Sequence, residues 1–98
     1  MVINFNQYPN FSEGVEEFAG AELSRLEKYE EKIEKADIYY RKVKDPVNEH
    51  NVEIKLAVPG ADPFAKADGE TFQKAFALCV DKLEAQMIKR KKHWDRHR

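Results

Sequence analysis

The chain is short of the residues that most chemistries need. It has one cysteine, Cys79, among 98 residues. A lone cysteine excludes an intramolecular disulfide framework and any cysteine-based zinc cluster, and it suits a reducing cytoplasm. No apolar run approaches the roughly 18 residues of a membrane span. The N-terminus lacks a basic stretch followed by an apolar block, so no signal peptide is expected. Neither GxGxxG nor GxxxxGK[ST] occurs, which removes the usual nucleotide cradles. No low-complexity linker or internal repeat divides the chain, and the length fits a single domain over residues 1–98. A net excess of either charge is missing too: 17 Lys+Arg stand against 18 Asp+Glu, a net of −1. That balance argues against wrapping nucleic acid by bulk charge.

The charge that is present is unevenly placed. Residues 1–81 carry 10 basic and 16 acidic side chains, whereas residues 82–98 carry 7 basic and 2 acidic ones. The near-neutral total therefore combines an acidic body with a basic helix end and tail at about 89–98.

Hydrophobic periodicity divides the chain into six elements. Ile3 and Phe5 alternate with Asn4 and Asn6, as in a half-buried strand. After the Pro9-Asn10 break, Ser12 is placed to cap a helix with Glu13, Glu16 and Glu17 in its first turns. Val15, Ala19, Leu23 and Leu26 recur at helical spacing, predicting a helix to about Lys32. Gly14 and Gly20 are expected to weaken it, each by up to ~1 kcal/mol. Ala36 to Lys44 is β-branched and aromatic, and Asp45-Pro46 marks a turn. Val52, Ile54, Leu56 and Val58 form the inward face of the cleanest strand, which ends at Pro59-Gly60. Phe64 to Asp68 makes a short fourth strand. Phe72, Phe76, Cys79, Val80, Leu83 and Met87 then share one face of a long second helix, capped by Thr71. The pattern β-α-β-β-β-α predicts an α+β two-layer domain, a four-stranded sheet with two helices packed on one face.

Helical geometry sorts the charges by face. On the first helix, Arg25, Lys28 and Lys32 separate from the glutamates. On the second, Lys82, Lys89, Lys92, His93 and Arg96 flank the apolar face. Arg90 and Trp94 fall on its extension, predicting a helix that runs past the sheet and exposes both. Cations at successive turns suit a phosphate backbone, Arg can grip phosphate bidentately, and Trp94 can stack on a base. The competing reading is a solvated helix end made basic by the helix dipole.

Other chemistry finds little support. Cys79 lies among apolar residues, unlike a reactive thiolate. His93 and His97 have the i,i+4 spacing of zinc ligands, but Trp94 stands where the zinc-protease pattern needs Glu, and no third ligand is apparent. His50 sits in an expected loop with no Ser or Asp partner. Tyr39 and Tyr40 face opposite sides of their strand, so one is expected to be exposed on the sheet. No metal, cofactor or enzymatic activity is expected.

The second helix carries a resemblance. Ala67-Asp68-Gly69-Glu70-Thr71-Phe72, Ala75-Phe76, Val80-Asp81-Lys82-Leu83-Glu84-Ala85-Gln86-Met87 and the lysine-rich end together resemble the ribosome hibernation-promoting factor family. That family includes the ribosome-associated inhibitor and the sigma-54 modulation proteins. Ile3-Asn4-Phe5, Leu26-Glu27-Lys28-Tyr29 and Val58-Pro59-Gly60 extend the match over nearly the whole chain, in order. Glu22 and Ala85 stand where the family often has Lys and Arg, and Thr71-Phe72-Gln73 replaces its Asp-Met-Tyr.

The resemblance implies a fold similar to a double-stranded-RNA-binding domain. It also implies a stress-response factor that binds the small ribosomal subunit and its ribosomal RNA in the mRNA–tRNA channel and inhibits translation. It implies further that basic residues of both helices face the RNA: carried over by position, Arg25 matches a usual Lys on the first helix, and Lys82, Gln86 and Lys89 match the second-helix pattern, with Arg90, Lys91 and Lys92 in its basic end. Lys28 joins them from the first helix. The chain looks like a short form, expected to be a monomer off the ribosome. Such a form needs a separate factor if it promotes ribosome dimers. The alternative is a protein-interaction module of sigma-54-regulator type, using the sheet or the acidic helix flank.

Overall fold

The computed structural model describes residues 1–6 and 14–96, with side chains through Lys91. The elements run β1 (Val2–Asn6), α1 (Val15–Ser24), β2 (Lys35–Lys42), β3 (His50–Ala57), β4 (Phe64–Gly69) and α2 (Phe72–Arg96). This is the expected α+β order. The strands form one sheet in the order β1-β2-β3-β4. β1 pairs with β2 in parallel, with Ile3 opposite Ala36 and Phe5 opposite Ile38. A parallel pair needs a crossover connection, and α1 lies on it. β2, β3 and β4 follow as antiparallel neighbours.

Period-two alternation sets the two faces of the sheet. Ala36, Ile38, Tyr40, Val52, Ile54, Leu56, Ala65 and Ala67 are buried beneath the helices. They meet Val15, Ala19 and Leu23 from α1 and Phe72, Ala75, Phe76, Cys79, Val80, Leu83 and Met87 from α2. Each large apolar side chain removed from water stabilises the fold by roughly 1.5–3 kcal/mol. Phe18 of α1 meets Phe76 edge-on at 5.7 Å, and Tyr40 of β2 meets Phe72 in the same way at 5.7 Å. The opposite face is polar. Asn4 Nδ2 donates to Asp37 Oδ1, Arg41 Nε to Asn51 Oδ1, and Asn51 Nδ2 to Asp68 Oδ1. Tyr39 is the exposed tyrosine of the pair, and Tyr40 is buried.

The first helix differs from its expected extent. It ends at Ser24, and the chain continues in tighter turns: Arg25, Leu26, Glu27 and Tyr29 each donate to the carbonyl three residues earlier. The Ser24 hydroxyl donates to the Ala21 carbonyl, offering that oxygen a side-chain partner at the helix end. Leu26 still reaches the core, so the apolar face was legible although the helix length was not. The expected Ser12 cap lies outside the described residues. Gly14 is itself the N-cap, with φ of 90° in the left-handed region, and its carbonyl accepts from Phe18. It therefore serves the helix start instead of weakening an interior turn. At the other hairpins, Asp45 Oδ1 accepts from the backbone N–H groups of Val47 and Asn48, and Val58 bridges Ala61 around Pro59-Gly60.

Gly69 ends β4 where α2 begins. A Cβ there would stand 2.6 Å from the Ala75 nitrogen and 3.0 Å from its Cα, both backbone atoms that cannot rotate away. Gly20, inside α1, has open space instead. Gly69→Ala is expected to destabilise the fold by about 1–3 kcal/mol. Gly20→Ala should stabilise it by roughly 0.5–1 kcal/mol through helix propensity. Urea midpoints of the two variants check the pair, and a neutral Gly69→Ala would refute the close approach.

Candidate nucleic-acid interface

α2 lies with its apolar face on the sheet, so its two polar flanks face different neighbours. One flank carries Asp81 and Glu84 and faces α1. Arg25, just past the end of α1, bonds Asp81 at 2.9 Å and Glu22 at 2.8 Å, with Glu84 at 3.6 Å. Hydrogen bonding to Asp81 first, then to Glu22, raises the guanidinium further above its usual range. The other flank carries Leu78, Lys82, Gln86 and Lys89, all exposed and with no carboxylate among them. Lys82 Nζ donates to the Lys66 carbonyl and Gln86 Nε2 to the Phe64 carbonyl, both at 2.8 Å. β4 is an edge strand, and these two bonds occupy outward acceptors that would otherwise invite a further strand. The cationic flank thus runs directly beside β4, whose Lys66 side chain is also exposed.

The candidate residues do not form one surface. Lys82, Gln86 and Lys89 stand together on the β4 side of α2, and Lys91 is exposed farther along the helix. Arg25 is paired with carboxylates on the α1 side, although its side chain is 39% exposed. Lys28 lies beyond the end of α1, with its ammonium 5.1 Å from the centre of the Tyr29 ring. The basic stripe expected on the first helix is therefore not a helical face. Arg90 remains partly exposed, as expected, but it is partnered: it donates to Glu30 Oε2 at 2.9 Å and to the Pro59 carbonyl at 2.6 Å. Its position on the extension of the apolar face carries it over the β3–β4 turn, where a carboxylate and a carbonyl satisfy it. The side chains of Lys92, His93, Trp94 and Arg96, and all of His97, lie outside the described residues.

Two features were missed in the sequence. Lys66 and Phe64 of β4 join the cationic flank of α2. Their alternation with buried Ala65 and Ala67 was the available signal. His50 opens β3 instead of sitting in a loop, is half-buried, and shares a 2.6 Å hydrogen bond with the Tyr40 hydroxyl. Tyr40 lies two residues before Lys42, the cross-strand neighbour of His50, a relation only strand register reveals. Cys79 is buried as expected. Its Sγ donates to the Ala65 carbonyl at 3.1 Å, and burial pushes the thiol up to about 12, far from a reactive thiolate. Among the described residues, no three His, Cys, Asp or Glu side chains are grouped to hold a metal. No helix among the described residues is long and apolar enough to cross a membrane.

The fold and its flank define an α+β two-layer β-α-β-β-β-α domain with a cationic edge. The family model described as sigma 54 modulation protein / S30EA ribosomal protein matches residues 2–94, and the chain belongs to that family. A ribosomal subunit interface protein from Coxiella burnetii has a similar structure, with a TM-score of 0.81 and 25% identity over 94% of this chain and 99% of that one. The Protein Y N-terminal domain of Thermus thermophilus shares the fold, with a TM-score of 0.70 and 19% identity over 87% of this chain and 90% of that one. No curated protein matches the chain.

The Glu30 carboxylate has a pH signature. The Lys32 backbone N–H, followed by Arg90, holds the Glu30 carboxyl below its usual range against the opposing effect of desolvation. A depressed carboxylate stabilises the fold above its unfolded value of about 4.3 and loses that contribution as pH falls through the folded value. Glu30→Gln should therefore cost up to about 1 kcal/mol at neutral pH. The gap to wild type should close in acid. Urea midpoints at neutral and acidic pH test this. A gap that persists unchanged in acid would mean that Glu30 acts through packing instead of charge.

Proposed function

We propose that this chain is a ribosome hibernation factor, cytoplasmic and stress-responsive, that binds the small ribosomal subunit in the mRNA–tRNA channel and inhibits translation by occupying it. Family membership and the fold support a ribosome-associated role, and the Coxiella burnetii protein is described as a ribosomal subunit interface protein. The observation that carries the RNA-binding part is the flank of Lys82, Gln86 and Lys89 on α2. It is free of carboxylates, exposed, and continuous with Lys66. Asp81 and Glu84 of α2 face the other way, into Arg25, so this edge presents positive charge although the chain as a whole is near neutral.

The action is binding without turnover. Ammonium groups displace counterions condensed on phosphate, which makes the association steeply salt-dependent. With one cationic edge and an acidic α1, the protein approaches RNA in one orientation. α1 carries exposed Glu16 and Glu17, which would be repelled by phosphate.

Co-sedimentation with purified small subunits across a salt series is the test. Wild type should sediment with the subunit and be released as salt rises. Changing Lys82, Lys89 and Lys91 together to Glu should abolish binding at moderate salt. Single Gln variants should each lower the slope of log affinity against log salt by roughly 0.7–0.9. Absence of wild type from small subunits, or unchanged binding by the triple variant, would overturn the reading.

A further inference from the structure

Phe64 is 54% exposed, at the start of the edge strand. On the open face of the sheet it stands directly opposite Lys55 of β3, and Lys66 follows two residues along the same face. On its outer side its own carbonyl holds Gln86, and the next outward carbonyl holds the Lys82 ammonium. Asp37 lies across from Lys55 and Glu53 across from Lys66, yet neither lysine forms an ion pair among the described residues. Asp37 is instead engaged by Asn4 and Lys35. An aromatic ring left in water on the same face as Lys55 and Lys66, with a third lysine and a carboxamide bonded to the carbonyls of its own strand, is chemically unlike a scattered surface hydrophobe. A flat π-face accepts a base, and the surrounding cations take the flanking phosphates. A protein partner would instead be expected to cover a broader apolar patch with less charge at its centre.

We propose that Phe64 is a stacking platform for an unpaired RNA base, with Lys55, Lys66 and Lys82 holding the adjoining phosphates. The proposal rests on the RNA-binding reading above and specifies its substrate class: a single-stranded segment, not a duplex. A paired base offers its face only to its neighbours in the stack, so a duplex gains nothing from Phe64. Lys82 and Gln86 position the platform as well, because their bonds to β4 carbonyls hold the α2 flank against it.

The test uses the full chain and two probes, a labelled oligouridylate and a blunt RNA duplex of the same length. Phe64→Ala and Phe64→Leu should each weaken oligouridylate binding on the order of tenfold, whereas Phe64→Tyr should retain it. All three should bind the duplex as wild type does. Phe64→Ala should leave the salt slope unchanged, and Lys66→Gln should lower it. Urea midpoints close to wild type are expected, since the ring is largely in water.

Full binding by Phe64→Leu, equal losses on both probes, or no oligouridylate binding by wild type would overturn the proposal. So would a nuclease-resistant protein partner lost with Phe64→Ala while oligouridylate binding is intact. The small-subunit experiment separates the two readings. Wild type that sediments with the subunit, joined to Phe64 variants of unchanged oligouridylate affinity, sinks only the stacking role. Wild type that fails to sediment sinks the ribosomal one.

Discussion

The burial of one face of α2 against β3 and β4 is the constraint on which the rest depends. Phe72, Phe76, Cys79, Val80, Leu83 and Met87 cannot be removed from water unless the helix lies along the sheet in one rotation. That rotation assigns every other residue of the helix to a neighbour. Asp81 and Glu84 turn to α1, Lys82 and Gln86 turn to the edge of β4, and Arg90 passes over the β3–β4 turn. The close seat of the helix is also why Gly69 has no room for a side chain. The cationic flank is thus a by-product of core packing, and needs no separate loop or insertion to build it.

The ion pairs then divide the charge. Arg25 and Arg90 each meet carboxylates, and Arg90 also meets a carbonyl, in contacts joining segments distant in sequence. Exposed pairs of this kind contribute little stability, of order 0–1 kcal/mol. Their larger effect is on the field: two arginines and their carboxylate partners are neutralised locally. The lysines that remain beside β4 are left without opposing charge on their flank. A net charge of −1 is compatible with RNA binding because it sums surfaces that never act together.

Much of the architecture was readable because its signals are local and repeated. Strand alternation in Val52 to Val58 and the helical stripe from Phe72 to Met87 each rest on several residues that agree, and these two elements form the centre of the core. The end of α1 was not readable in this way. Arg25, Lys28 and Lys32 continue the helical period in the sequence, but the chain tightens at Ser24 to bring Leu26 and then β2 into place. Periodicity records which residues are apolar and cannot show where a tertiary contact ends a helix.

The same division holds for the functional surface. The residue pattern by itself determined the β-α-β-β-β-α order, the apolar faces, the burial of Cys79 and the concentration of cations late in the chain. Only the tertiary structure decided which cations are free. Glu30 meets Arg90 across 60 residues and Asp81 meets Arg25 across 56, and nothing in a local pattern reports such pairs. The pairing of β4 with β3, and the seat of α2 beside it, likewise brought Phe64 and Lys66 onto the edge with Lys82. The physical reason is one of range. Hydrophobic periodicity acts within a turn or two of chain, whereas electrostatic partners are chosen by proximity in space, which exists only after the core has formed.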